Sequence, residues 1–127
     1  TGLLTVGAHT ITHDARSKLP ESRGKEEMQG SQERLRKELG VTATHFAYPS
    51  GDSGSAARRE FDLASALGFE TAVTTRKGAV HPEHAGHLHA LPRVSLNGDY
   101  QERRYLDVFL SELPFYLARG LRRLDVG

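Results

Sequence analysis

His9 and His13 stand four residues apart where the apolar run Leu3-Leu4-Thr5-Val6-Gly7-Ala8 gives out. If the chain turns helically there, four residues at about 1.5 Å each put the two rings about 6 Å apart on one face. Two imidazoles on one face are a ligand pair for a divalent cation, zinc above all, with Zn–N near about 2.0–2.1 Å. The same pair would also serve as hydrogen-bonded residues at a strand end, and spacing alone does not separate the two. A second group, His81, His84, His87 and His89, is interrupted by Pro82 and Gly86, so no helix presents those rings on one face. A solvated loop is the expectation there. His45 reads as an ordinary strand-edge residue. Pro49-Ser50-Gly51-Asp52-Ser53-Gly54 is rich in turn formers and is either a plain loop or a shaped rim.

The elements that must position these residues follow from periodicity. Leu3 to Ala8 predicts a buried strand. A polar surface loop follows from Asp14 to Gly24. Lys25 to Leu39 predicts a helix with Met28, Leu35 and Leu39 inward, Gly40 as its stop and Gly30 as a weak point of about 1 kcal/mol relative to Ala. Thr44 to Tyr48 is a second strand. Ser55 to Leu67 is a helix burying Ala57, Phe61, Ala64 and Leu67, with Gly68 at its C-terminus. Phe69 to Thr75 is a third strand, and Leu91 to Leu96 a short fourth, beyond a loop from Arg76 to His89. Tyr100 to Leu117 is a last helix with Tyr105, Phe109, Leu113 and Tyr116 on one face, bent or cut short at Pro114. Arg119 to Arg123 is a basic, solvated end. Strands alternating with helices predict a parallel sheet, whose chemistry sits at the carboxyl ends of the strands, where His9, Pro49 and Thr75 fall.

Composition narrows the partners. The 127 residues make one domain at most, and 26% charged with 37% hydrophobic residues suit a folded chain. A net charge of +1 gives no general attraction to nucleic acid or anionic lipid. The absence of cysteine excludes disulfides, thiolate nucleophiles and cysteine-type zinc sites. No apolar run approaches the roughly 20 residues of a membrane span, and no signal peptide opens the sequence.

Three segments coincide at strand ends: His9-Thr10-Ile11-Thr12-His13, Phe46-Ala47-Tyr48-Pro49-Ser50-Gly51-Asp52 and Leu91-Pro92-Arg93-Val94. Together with Gly68 to Thr75 they make the chain resemble the polysaccharide deacetylases, the NodB-homology carbohydrate esterases of family four. That family has an H-[ST]-x-x-H motif and, in one large subgroup, F-A-Y-P-x-G. The resemblance runs from Thr5 to about Tyr116. It implies an α/β fold, a distorted (β/α) barrel with parallel strands and flanking helices. It also implies a bound divalent metal, usually zinc, with His9 and His13 as ligands. Tyr48, Pro49, Ser50 and Gly51 would form part of the substrate groove, with a backbone N–H there helping to hold an oxyanion. The reaction implied is hydrolysis of N-acetyl groups on an acetylated amino-sugar polysaccharide, in an extracytoplasmic or cell-envelope setting.

The departures from the family pattern bear on activity. Its first motif, a strand ending in two adjacent aspartates that supply a metal ligand and the general base, is absent, and no carboxylate precedes His9. Asp14, Asp52 and Asp99 lie near the expected strand ends, none in an Asp-Asp pair. Many members carry an arginine just before the third-motif proline, where this chain has Ala47-Tyr48. Arg93 is the candidate catalytic residue, as the positive charge that tunes a base, with a structural ion pair as its alternative. Leu88-His89 has the residue types of the family's late acid-bearing element but precedes Leu91-Pro92-Arg93. Residues 1–127 are therefore read as one deacetylase-like domain, incomplete at its N-terminus. The parent is expected to be a deacetylase; the alternative is a truncated or degenerate, non-catalytic relative that keeps the fold and a metal or glycan. A half-barrel would expose a sheet edge and apolar surface, and so predicts a homodimer.

Overall fold

The computed structural model describes residues 3–13, 19–120 and 124–126. Asp14, the start of the polar loop and residues 121–123 of the basic end lie outside the described residues. Helix α1 (Glu21–Leu39), strand β1 (His45–Ala47), helix α2 (Arg58–Ala66), strand β2 (Thr71–Lys77), strand β3 (Leu91–Arg93) and helices α3 (Arg103–Leu110) and α4 (Leu113–Arg119) follow in order. Short 3₁₀ turns occupy Pro82–Gly86 and Gly98–Tyr100. The strands form one parallel sheet in the order β1-β2-β3. The α/β class with parallel strands and flanking helices is thus the observed architecture.

The expected first strand is reduced to one residue. Ala8 bridges Phe46 in parallel, with Ala8 N donating to His45 O at 2.8 Å and Ala47 N donating to Ala8 O at 2.9 Å. Leu3 and Leu4 are 96% and 77% exposed rather than buried, because the segment packs only where it meets β1. Strand β2 is the centre of the sheet. Its register sets Ala47 against Val73 on one side and Val73 against Leu91 on the other, with an irregularity before Lys77 meets Arg93.

Alternation sorts the two faces. Phe46, Tyr48, Ala72, Thr74 and Arg76 are buried, while His45, Ala47, Thr71, Val73, Thr75 and Leu91 are half-exposed. The core joins Met28 of α1 and Phe61 and Ala64 of α2 to Phe46, Tyr48 and Phe69. Its rings meet edge-on or tilted, with Phe46 5.1 Å from both Tyr48 and Phe69 and Tyr48 5.6 Å from Phe61.

Helix α1 starts four residues earlier than expected, at Glu21 behind Pro20, whose carbonyl accepts from Arg23 N and Gly24 N. Its buried positions are Gly24, Glu27, Met28 and Ser31, and Leu39 is 60% exposed. In α2 Leu67 is only partly buried, and Glu60, which the apolar stripe passes over, is buried. The expected last helix is two helices. Glu112 takes a left-handed φ of 60° and ends α3, and Pro114 sits in the first turn of α4, where its missing N–H is harmless. Phe115, rather than Leu113, is the buried residue of α4.

Candidate metal centre and its rim

His9 leaves the sheet immediately after the Ala8 bridge, and its ring turns back onto the end of β1. Nδ1 lies 2.8 Å from the Ala47 carbonyl oxygen. A carbonyl offers only lone pairs, so Nδ1 carries the proton and Nε2 is left with its lone pair. A backbone carbonyl fixing one ring nitrogen while the other is free to bind is the usual support of a metal-binding histidine. The His13 ring lies edge-on to His9 with centroids 4.9 Å apart. Both histidines are exposed.

The pair is not on a helix. Thr10 and His13 both take left-handed φ values, 63° and 60°, and His13 N donates to Thr10 Oγ1 at 3.2 Å. This tight loop, rather than an i,i+4 helical face, brings the rings together. Glu27 of α1, which no motif marks, accepts from the backbone N–H groups of Ile11 and Thr12. A signal for it existed: Gly24 and Ser31 flank it at i−3 and i+4 on the helix face, small residues that permit close approach of another backbone.

The Pro49-Ser50-Gly51 turn follows directly from the strand that holds His9. Gly51 is buried at φ 66°, and a Cβ there would lie 2.6 Å from Thr75 N and 3.1 Å from Thr74 Cα. Thr75 N donates to Gly51 O at 3.1 Å and Thr75 Oγ1 donates to Ser50 O. The turn is therefore laid flat against the carboxyl end of β2. Asp52 closes it as a turn former, its Oδ1 accepting from Gly54 N at 2.8 Å. Among the described residues, the Ser50 and Gly51 amides have no protein acceptor.

Tyr48 belongs to the core and not to the groove wall. Its side chain is 1% exposed and its hydroxyl donates to His89 O at 3.0 Å. Burial pushes the phenol well above its usual range; the Glu60 carboxylate adds to this, and the Arg76 guanidinium opposes it. Arg93 is exposed on β3, across the sheet from His9. Three strand spacings of about 4.8 Å separate the two backbones by roughly 14 Å. The structure does not bring Arg93 beside the histidine pair.

Four of the remaining histidines are tied into the fold, and His87 is exposed. His89 Nε2 lies 2.7 Å from Phe69 O, at the amino end of β2 and thus opposite His9, which removes Leu88-His89 as an acid-bearing element of this site. His84 is buried, against the expectation of a solvated loop, and its Nδ1 accepts from His81 N at 3.0 Å. His81 reaches Glu112 at 2.9 Å, and His45 Nδ1 meets Thr71 Oγ1 at 2.9 Å.

The two imidazoles fit two positions of a zinc-type centre in donor chemistry, and His9 also in tautomer. Among the described residues no third histidine or carboxylate joins them. Beside His9 opens a groove of about 390 Å³, walled by Gly7 and Ile11 on one side and by Leu35, Arg34 and Glu38 of α1 on the other.

Residues 1–72 match the polysaccharide deacetylase family. The chain belongs to it. Among solved structures, the deacetylase PplD of Streptococcus pyogenes, determined in complex with acetate, is 27% identical over 71% of this chain and 38% of its own, with a TM-score of 0.62. IcaB from Ammonifex degensii is 25% identical over 86% of this chain and 47% of its own, with a TM-score of 0.64. The chain thus spans less than half the length of either structure. No protein of curated function matches it.

Proposed function

We propose that this chain is the histidine-bearing portion of a metal-dependent deacetylase that removes N-acetyl groups from an acetylated amino-sugar polysaccharide. The observation that carries the reading is the 2.8 Å His9 Nδ1–H bond to Ala47 O, which anchors the ring and leaves Nε2 available beside His13. His9 and His13 would hold a divalent cation, zinc by ligand preference, which when bound polarises an amide carbonyl and acidifies water. Pro49, Ser50 and Gly51 would flank that position, and the Ser50 and Gly51 amides would suit a developing oxyanion. Tyr48 acts from beneath, as the packed residue on which the turn rests. Arg93 would act only at a distance, as part of the field or as a substrate contact along the carboxyl edge.

The whole deacetylase would need a carboxylate ligand and a general base, which no described residue places beside the pair. That the chain spans less than half of PplD and of IcaB supports reading it as one part of a larger barrel domain. Its substrate class and family imply an extracytoplasmic or cell-envelope setting. No helix among the described residues is long and apolar enough to cross a membrane. The second reading, a non-catalytic relative, rests on the two histidines having no third ligand beside them among the described residues.

Titration of the 127-residue chain with Zn²⁺ against a chromophoric chelator tests the reading. Weak, saturable binding of one ion is expected, lost in His9→Ala and in His13→Ala. Binding that survives both substitutions would overturn it. Acetate release from N-acetylglucosamine oligomers is expected to be negligible for the chain alone. Turnover that depends on His9 would instead show that the chain supplies its own base.

A further inference from the structure

The H-T-I-T-H loop is held by α1, and the holding group is a buried carboxylate. Glu27 is only 2% exposed on a helix face otherwise made of Gly24, Met28 and Ser31. A carboxylate so placed is strongly disfavoured unless its oxygens are bonded. Here Oε2 accepts from Ile11 N and Thr12 N, each at 2.9 Å, and Oε1 accepts from Thr12 Oγ1 at 3.0 Å. Arg23 Nη2 stands 3.6 Å from Oε1, one turn earlier on the same helix. Three donors from the two residues between Thr10 and His13 thus converge on one side chain that lies 15 or 16 positions away.

That loop has reason to need an external hold. Thr10 and His13 are non-glycine residues in the left-handed region, a conformation that a short loop does not keep unaided. The helix is also notched to receive it: a Cβ at Gly30 would lie 2.5 Å from Ile11 Cδ1. The helix-weakening glycine of the sequence is therefore the seat of the loop's apolar side chain.

We propose that Glu27 is a positioning residue that clamps the backbone between His9 and His13 and so sets their joint affinity for a divalent cation. The proposal rests on the metal reading of the pair, and its test separates the two. The full chain is compared with Glu27→Ala, Glu27→Gln and Thr12→Val by Zn²⁺ competition titration and by amide hydrogen exchange of the metal-free protein. Circular dichroism reports the folded fraction of each.

Glu27→Ala is expected to lose about 10–100-fold in Zn²⁺ affinity, the usual effect of removing an outer support of a ligand. Exchange at Ile11 and Thr12 should accelerate with it. Glu27→Gln is expected to recover most of both, since its carbonyl can accept the two amides while its NH₂ meets Thr12 Oγ1. Thr12→Val, an exposed change that cannot unfold the core, should lose affinity by a smaller factor and leave the Ile11 amide protected. Wild-type affinity in folded Glu27→Ala, or affinity in Thr12→Val equal to wild type, would overturn the proposal. Absence of Zn²⁺ binding in the unsubstituted chain would refute the metal reading instead, and the exchange rates of Ile11 and Thr12 would still decide whether Glu27 clamps the loop.

Discussion

Gly51 and Gly40 share a left-handed φ, 66° and 65°, and differ in what surrounds them. Around Gly40 a Cβ would meet nothing within 4 Å, whereas at Gly51 it would meet the β2 backbone at Thr74 and Thr75. Gly40→Ala should therefore cost only the conformational penalty, about 1–2 kcal/mol. Gly51→Ala adds a backbone overlap that no side chain can relieve, and should cost about 3 kcal/mol or more. Urea unfolding of the two variants beside the unsubstituted chain checks the difference, and equal losses would contradict it. The consequence for the site is local: lifting the turn from β2 moves Ser50 and Gly51 away from the position that His9 occupies at the end of β1. Tyr48, one residue from the turn, contributes through its packing, since its hydroxyl is spent on the His89 carbonyl.

At the scale of elements, the legible and illegible parts divide by the kind of force involved. Turn chemistry is local, so Gly40, Gly68 and the Pro49-to-Gly54 cluster mark the ends of helices and strands in the sequence itself. The parallel α/β order and the strand-end placement of His9 follow from the same signals. Burial by polar partnership is not local. Glu27 and Arg76 are buried because backbone groups and charges distant in sequence meet them, and an apolar pattern passes over each. The break between α3 and α4 is legible, because Pro114 marks it in the sequence, while the start of α1 at Glu21 behind Pro20 lies ahead of the first apolar residue of the stripe. Arg76 shows the scale of such a tie. It joins β2 to the segment before α2 through Nη2 and Ala56 O at 2.7 Å, and to Asp125 through Nη1, with its guanidinium 5.3 Å from the Phe61 ring centroid. Lysine cannot reproduce that fork or its stacking. Arg76→Lys should cost about 1–3 kcal/mol in urea unfolding, and an unchanged midpoint would show that the tie carries no stability.

Across the whole molecule one face of the sheet and one pair of helices are under-covered. The buried face packs on α1 and α2, while Ala47, Val73 and Leu91 on the other remain half-exposed. On α3 and α4, Val108, Leu110, Leu113 and Leu117 are 50%, 68%, 58% and 79% exposed, neighbours to a small cluster in which Phe109 stacks 6.0 Å from Phe115. Surfaces of this kind are the mark of an association site. In a longer deacetylase domain they would meet the rest of the barrel; in the isolated chain the available partner of matching chemistry is a second copy. The 127-residue chain is accordingly predicted to self-associate, with an average mass that rises with concentration in sedimentation equilibrium. Leu110→Glu with Leu117→Glu places charge on the two helices at exposed positions, where folding has little to lose, and should return the chain to a monomer. A monomer at every concentration would refute the prediction. So would association untouched by the double substitution, which would move the contact to the edge beside Ala8, where the parallel sheet meets only β1.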